Sequence, residues 1–149
     1  MLIEIDQSGR VEYTSVHTVI ADSQENSILL RGVDKQYIQK LYRDVRKPRM
    51  FVVEVFAFLT ASIMSQTYSR KIDHTYVIDT EYIGQEGLIK THLFRYLQRF
   101  NCNMSRDSVS FGFVGKHSKS HHAAYHHYKN PNQFPLRVLP LAKILPFLP

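Results

Sequence analysis

Hydrophobic and polar positions along the chain first follow the short alternation of strands and later the spacing of helices. Three early segments, LIEI, VEYTSVHTVIA and SILLRGV, are rich in β-branched and aromatic residues, which favours β-strands. Polar turns of a few residues separate these segments. Because antiparallel strands need no long crossover, the three segments predict an antiparallel meander.

The rest of the chain predicts helices that alternate with two further strands. In chain order the predicted elements are a helix in KQYIQKLYRDV, a helix from about Met50 to Ser65, a strand in TYVID, a helix in GQEGLIKTHLFRYLQRF, a strand in VSFGFVG and a helix in SKSHHAAYHHY. The first of these helices is expected to bury a face with Tyr37, Leu41 and Val45. Three antiparallel strands followed by strand–helix–strand crossovers predict an α/β fold with a five-stranded mixed sheet flanked by helices.

Polar side chains stand at the carboxyl ends of three predicted strands. Asp6 ends the first, Asp79 and Glu81 end TYVID and follow it, and Lys116 with His117 follows VSFGFVG. Sites in open α/β sheets gather at the carboxyl ends of strands. We therefore expect a functional site at this edge of the sheet, with Asp6 and Asp79 on adjacent strands and close enough to share a cation.

Composition indicates one folded domain with a basic surface. The chain has 149 residues, of which 44% are hydrophobic and 21% charged, and a formal net charge of +6. These values suit a single globular domain with a polyanionic partner such as nucleic acid. The single cysteine, Cys102, excludes a disulfide framework and a cysteine-rich zinc ribbon and is typical of a cytoplasmic protein. The apolar stretch MFVVEVFAFLTASIM contains Glu54 and is short for a membrane span, so no membrane association is expected.

The final segment, NPNQFPLRVLPLAKILPFLP, differs from the rest because prolines interrupt its apolar residues. Prolines prevent a regular helix or an inner strand, yet so apolar a segment should not be exposed to water. We expect one folded domain over residues 1–130 and a proline-rich apolar tail over residues 131–149. The tail is expected to pack across the domain or against a second copy, which would make a homodimer.

The order of the elements over residues 1–128 resembles the ribonuclease H-like superfamily, which includes ribonuclease H, RuvC-type Holliday-junction resolvases, transposases and several exonucleases. That family has chain order βββαβαβα, and KQYIQKLYRDV stands as an inserted helix. Asp6 in LIEIDQSG matches the family's Asp in the first strand, and Glu54 in RMFVVEVFAFLTA matches a Glu near the start of the helix after the third strand. Asp79 in TYVIDTEY matches the acid that ends the fourth strand, with Glu81 a close competitor.

The resemblance also implies a fourth ligand on the last helix, where only histidines are available. GKHSKSHHAAY is similar to the glycine–basic–histidine turn after the family's fifth strand. His121 is the first choice for the catalytic group and His122 the second. The alternatives for this histidine-rich helix are a zinc cluster, for which pairs four residues apart have suitable spacing, and a polar helix face. The remaining imidazoles and nearby lysines predict a phosphate-facing surface, with Lys116, His117, Lys119 and Lys129 as its members.

The family resemblance implies a metal-dependent nuclease that hydrolyses phosphodiester bonds of DNA or RNA by a two-metal mechanism. Two divalent ions can stabilise both the attacking and the leaving oxygen. Mg²⁺ prefers carboxylate oxygen, and Mn²⁺ also accepts imidazole nitrogen. The predicted catalytic set is Asp6, Glu54, Asp79 and His121, with Glu81 and His122 as further metal ligands. Two alternatives stay open: a non-catalytic nucleic-acid-binding module of the same fold, and a structural protein that dimerises through its tail.

Overall fold

A five-stranded mixed sheet forms the centre of the protein, in a computed structural model that describes residues 1–149. The strands are β1 (Leu2–Ser8), β2 (Thr18–Asp22), β3 (Ser27–Leu30), β4 (Thr75–Asp79) and β5 (Val109–Gly112). Their spatial order is β3-β2-β1-β4-β5. The first three strands pair antiparallel, while β4 is parallel to both β1 and β5. The predicted α/β class, meander and five-stranded mixed sheet are confirmed.

Helices cover both faces of this sheet. They are α1 (Gly32–Asp44), α2 (Met50–Thr67), α3 (Glu86–Arg99), α4 (Lys119–Lys129) and the single-turn α5 (Leu141–Ile144). Ile3 and Ile5 of β1 belong to the main core, which also contains buried residues of α1, α2, α3 and α5. Ala21 and Leu29 belong to a smaller cluster with Ala124 of α4. Because side chains alternate along a strand, α4 lies on the opposite face of the sheet from the other helices.

Helix α2 is the central helix of the main core. It is long and apolar enough to cross a membrane, but 67% of its residues are buried inside the protein. Phe58 of α2 packs edge-on against Tyr96 and Phe100, with ring centroids 5.5 and 5.7 Å away. Helix α2 is therefore packed as the core helix of a soluble domain.

The face that α1 buries differs from the predicted one. Ile38 and Tyr42 are fully buried, whereas Tyr37 and Val45 are exposed. The predicted face was wrong because Lys35, a polar residue one turn before Ile38, also points inward. Its ammonium donates hydrogen bonds to the carbonyl oxygens of neighbouring loop residues and to a buried hydroxyl.

The segment VEYTSVHTVIA is a strand only from Thr18 onward. Before it, the chain forms a loop that Lys35 holds, through 2.9 Å and 2.8 Å bonds from Nζ to Tyr13 O and Thr18 Oγ1. Gly9 begins this loop with φ of +77°, and a Cβ there would collide with the carbonyl of His17. These contacts explain why β-branched residues in the first half of the segment do not extend the sheet.

The proline-rich tail packs against its own chain. Leu139 N donates to Leu29 O at 2.7 Å, and Ile144 is fully buried in the main core. The ring of Phe147 lies 5.0 Å from that of Phe58. Apart from α5, the tail has three 3₁₀ turns and an isolated bridge between Val138 and Leu29, and its prolines leave no longer helix or strand. Much of its apolar surface is thus covered within the chain.

Candidate metal centre at the carboxyl ends of β1 and β4

Asp6 and Asp79 lie side by side on adjacent parallel strands. Ile5 of β1 is in register with Ile78 of β4, so the next residue of each strand projects to the same face. Asp6 is 5% exposed and lies within β1, which continues to Ser8, rather than in a turn. The expected placement of the two aspartates on adjacent strands is confirmed.

Glu81 completes a group of three carboxylates. It reaches the two aspartates from the loop after β4, and one ligand atom from each of the three residues lies within 4.8 Å of the others. Arg10, from the loop after β1, places Nη1 at 3.6 Å from Glu81 Oε2. We call Asp6, Asp79 and Glu81 the acidic cluster.

Burial and the charge of neighbouring carboxylates raise the pKa values of Asp6 and Glu81. Burial raises the pKa of Asp6, and the negative charge of Asp79 adds to this effect, while hydrogen bonds from Gln7 and His121 oppose it. Burial, followed by the interaction with Asp79, raises the pKa of Glu81 to about 8. With a pKa of about 8, Glu81 retains its proton at neutral pH unless a cation compensates the negative charge around it.

His121 is the histidine that reaches the acidic cluster. Its Nδ1 lies 3.0 Å from Asp6 Oδ2, and the side chain is 36% exposed. The start of α4 is fixed by Ser118, whose Oγ accepts a hydrogen bond from Ser120 N and donates one to Glu4 Oε1. Because Glu4 belongs to β1, this bond anchors the first turn of α4 over the strand that carries Asp6.

The loop after β5 is also attached to the acidic cluster. Val114 N donates to Asp79 Oδ1 at 2.7 Å. Thr80 N donates to Gly112 O at 2.9 Å. These two bonds orient one carboxylate oxygen of Asp79 and fix the backbone on both sides of Phe113.

Glu54 is not brought to the acidic cluster, so its prediction as a catalytic group and metal ligand is corrected. It lies on α2, on the face of the sheet opposite α4, and its Oε1 is 3.7 Å from His92 Nδ1 on α3. Burial raises the pKa values of the phenols Tyr42 and Tyr96, and the charge of Glu54 raises them further. Glu54 thus lies near His92, Tyr42 and Tyr96, and it is not among the carboxylates that converge at the acidic cluster.

His122 does not join the acidic cluster either, and the prediction of a second histidine ligand is corrected. Residues on one face of α4, among them Lys119, His122 and His126, line an open cavity of about 390 Å³ opposite Phe134 and Arg137. The ring of His122 is 5.9 Å from that of His121, but the next residue along a helix turns by about 100°. His122 is therefore exposed on another side of α4.

The predicted basic surface is only partly contiguous. Lys116 and His117 are exposed on the loop between β5 and α4, and Lys119 is exposed in the first turn of α4. Lys129 is exposed at the far end of the helix, where its Nζ lies 5.6 Å from the centre of the Tyr125 ring. Lys116 and His117 follow β5, next to the edge of the sheet that carries the acidic cluster, whereas Lys119 lines the cavity beside Ser27 and Arg137.

His127 is part of the core rather than of a phosphate-facing surface. It is 1% exposed, and its Nδ1 lies 2.9 Å from Ser27 Oγ. Burial, with smaller effects from Arg137, His17 and His126, lowers its pKa to about 4. The acidic cluster is the only group of three or more converging metal-ligand side chains, and it contains no histidine.

Several residues of the site were not predicted from the sequence. Arg10 stacks over the ring of Tyr82, 4.7 Å from its centre, and the Tyr82 hydroxyl donates to Gln7 Oε1. Lys35 holds the loop that carries Arg10 by a 3.2 Å bond to the Arg10 carbonyl oxygen. In the sequence, Gly9 and the charged residue after it were the only indication of this loop. The path of the loop depends on contacts between residues that are distant in sequence.

No protein-family model, curated protein or solved structure matches the chain. The chemistry of this edge of the sheet is therefore inferred from its side chains alone. Three carboxylates offer hard oxygen ligands, and one imidazole beside them offers a nitrogen ligand or a proton acceptor. This arrangement can hold a divalent cation and place it beside a group that transfers protons.

Proposed function

We propose that the protein is a metal-dependent nuclease that hydrolyses phosphodiester bonds of DNA or RNA. The observation that carries this proposal is the acidic cluster, whose ligand atoms lie within 4.8 Å of one another, with His121 Nδ1 3.0 Å from Asp6. Asp6, Asp79 and Glu81 are the proposed metal ligands. His121 is the fourth catalytic group, and a cytoplasmic location is part of the same proposal.

The residues present fit Mg²⁺ or Mn²⁺. Carboxylate oxygens are the ligands that these hard ions prefer, and the raised pKa values of Asp6 and Glu81 reflect burial and negative charge that a cation would compensate. When bound, such ions would stabilise negative charge on the attacking and leaving oxygens of the phosphodiester. Asp79 already has one oxygen oriented by Val114 N.

His121 has the geometry of a proton-transfer group. Its Nδ1 is engaged by Asp6 Oδ2, which fixes the ring and leaves Nε2 for a second partner. Imidazole can accept and return protons near neutral pH. We assign to Nε2 the transfer of a proton to the leaving oxygen of the substrate.

The ribonuclease H-like assignment is part of this proposal. The resemblance requires an acid on the first strand and another at the end of the fourth, and the strand order β3-β2-β1-β4-β5 makes these two strands neighbours. Glu54 departs from the resemblance, and Glu81 supplies the third carboxylate instead. Lys116, His117 and Lys119 are the proposed phosphate contacts. Leu136 of the tail is 98% exposed and is the proposed site of any contact with a second copy of the chain.

The test is cleavage of labelled single- and double-stranded DNA and RNA with Mg²⁺, Mn²⁺ or chelator. We expect cleavage only with a divalent ion, and its loss in Asp79→Asn and in Glu81→Gln. Asp73→Asn is the matched control, because Asp73 is an exposed acid before β4, at the opposite edge of the sheet.

Thermal unfolding gives a second readout that does not depend on turnover. A cation that binds only the folded protein raises its melting temperature, so Mg²⁺ or Mn²⁺ should stabilise the wild type and Asp73→Asn but not Glu81→Gln. Absence of cleavage with every ion and substrate would overturn the nuclease assignment. Binding of nucleic acid without cleavage would then select the non-catalytic module.

A further inference from the structure

Phe113 is the most exposed large aromatic residue of the protein, and it stands beside the acidic cluster. Its side chain is 89% exposed. The residues on either side of it are fixed to the end of β4, Gly112 through Thr80 N and Val114 through Asp79 Oδ1. The Phe113 ring is thus exposed to solvent on a backbone that hydrogen bonds fix in place. The next residue, Val114, donates the hydrogen bond that orients Asp79.

The surroundings of Phe113 combine positive charge with a further exposed apolar residue. Lys116 and His117 follow it on the same loop, both exposed and without an ion pair to any carboxylate. Ile83, on the loop that leaves the neighbouring strand β4, is 80% exposed. An exposed ring next to unpaired cations is the combination that binds single-stranded nucleic acid, because bases stack on the ring while cations contact the phosphates.

We propose that Phe113 stacks on an unpaired base of a single-stranded nucleic acid that passes over the acidic cluster. In a duplex both faces of each internal base are already stacked on neighbouring bases, so Phe113 discriminates in favour of single strands or unpaired ends. Lys116 and His117 contact the phosphates next to the stacked base. The nature of the polymer rests on the proposed nuclease function, whereas the stacking contact can be measured without cleavage.

Tryptophan fluorescence measures this contact directly. The chain contains no tryptophan, so Phe113→Trp introduces a single indole at a position where exposure leaves room for it. Titration with single-stranded DNA and RNA in the presence of chelator should give a saturable quench of the indole emission. Duplexes of the same sequence should quench it much less at equal concentration.

Two controls separate stacking from binding by charge alone. Leu136→Trp places an indole at a position that is 98% exposed on the tail, and its emission should not change on titration. Inorganic polyphosphate, which has charge but no bases, should not quench Phe113→Trp. Quenching of both variants, or equal quenching by polyphosphate, would overturn the proposal.

Affinity provides the second measurement. Phe113→Ala should weaken binding of single strands by about fivefold to 150-fold, the range that corresponds to stacking of one base. Phe113→Tyr should restore most of this affinity because the ring is kept. An unchanged single-strand affinity in Phe113→Ala would refute the stacking role, and so would a dimer of the wild type that Phe113→Ala dissociates.

The outcomes distinguish this proposal from the nuclease assignment. If nucleic acid quenches the Phe113→Trp emission but the protein cleaves no substrate, the stacking contact is supported and the nuclease assignment is overturned. If the protein cleaves with a divalent ion but the emission is not quenched, the nuclease assignment is supported and the stacking contact is overturned. Failure to bind any nucleic acid would overturn both.

Discussion

Lowering the pH should destabilise the protein through His127. The imidazole is buried between α4, β3 and the tail, with Nδ1 at 2.9 Å from Ser27 Oγ and a ring centroid 4.6 Å from that of Phe134. Its Nε2 is buried without a hydrogen-bond partner. A second proton on this ring would place a charge next to an apolar ring and near Arg137, which explains why its pKa is lowered to about 4.

The sign and size of the effect follow from proton linkage. The pKa of His127 is lowered from its ordinary value of 6.5 to about 4 in the folded protein. At pH values between these two, the imidazole binds the proton in the unfolded chain but not in the folded one. The free energy of unfolding therefore falls as the pH drops below 6.5, and this loss is complete only below about pH 4. The gap between the two pKa values corresponds to about 3 kcal/mol, of which about 2–3 kcal/mol is lost at about pH 4.5.

Urea denaturation at about pH 7 and about pH 4.5 measures this loss. His127→Leu removes the titrating group and the bond to Ser27, and the second change lowers stability by a similar amount at both pH values. The difference between wild type and His127→Leu should therefore shrink or reverse at the lower pH. Asp6 and Glu81, whose raised pKa values act in the opposite direction, are present in both proteins and cancel.

His126→Gln is the matched control, because His126 is the adjacent imidazole and is exposed. Its stability should vary with pH as in the wild type. If His127→Leu kept the full pH dependence of the wild type between about pH 7 and about pH 4.5, the buried neutral imidazole would not be its cause, and the reasoning would fail.

Three further substitutions test other parts of the structure. Glu54→Gln should keep metal-dependent cleavage and the cation-induced rise in melting temperature, and loss of both would return Glu54 to the site. Lys35→Met should lower the free energy of unfolding in urea by roughly 1–3 kcal/mol, because it leaves buried oxygen atoms without a donor, whereas Lys40→Met at an exposed position should not. Gly9→Ala should destabilise by roughly 1–2 kcal/mol or more, since Gly9 has a positive φ and no room for a Cβ; Gly115→Ala, with open space around it, should be close to neutral.

Strand positions could be predicted well where one pattern dominated the local sequence. TYVID is bounded by polar residues and is β4 from its first residue to its last. The placement of Asp6 and Asp79 followed from a rule about the ends of parallel strands and needed no knowledge of side-chain packing. Strand topology alone brought these two carboxylates together.

Glu54 could not be placed in the same way, because the direction of a helical side chain in the fold depends on how the helix packs against the sheet and the other helices. Helix α2 is apolar nearly all round, so its sequence does not show which face meets the sheet and which meets α1 and α3. The acid near its start was equally compatible with the cluster and with the space beside His92. Only the packing of α3 against α2 decides between them.

The histidine-rich helix shows why a local excess of one residue type does not define one function. Successive residues of a helix turn by about 100°, and α4 buries the stripe formed by Ser120, Ala124 and His127. His121 borders that stripe on the side of β1 and meets Asp6, while His122 and His126 face the open cavity. The four histidines of α4 thus lie in three environments. His127 is buried and neutral, His121 lies beside carboxylates, and His122 and His126 are exposed. Deleting the whole run would mix these effects, so single substitutions are required to assign catalysis to His121 and stability to His127.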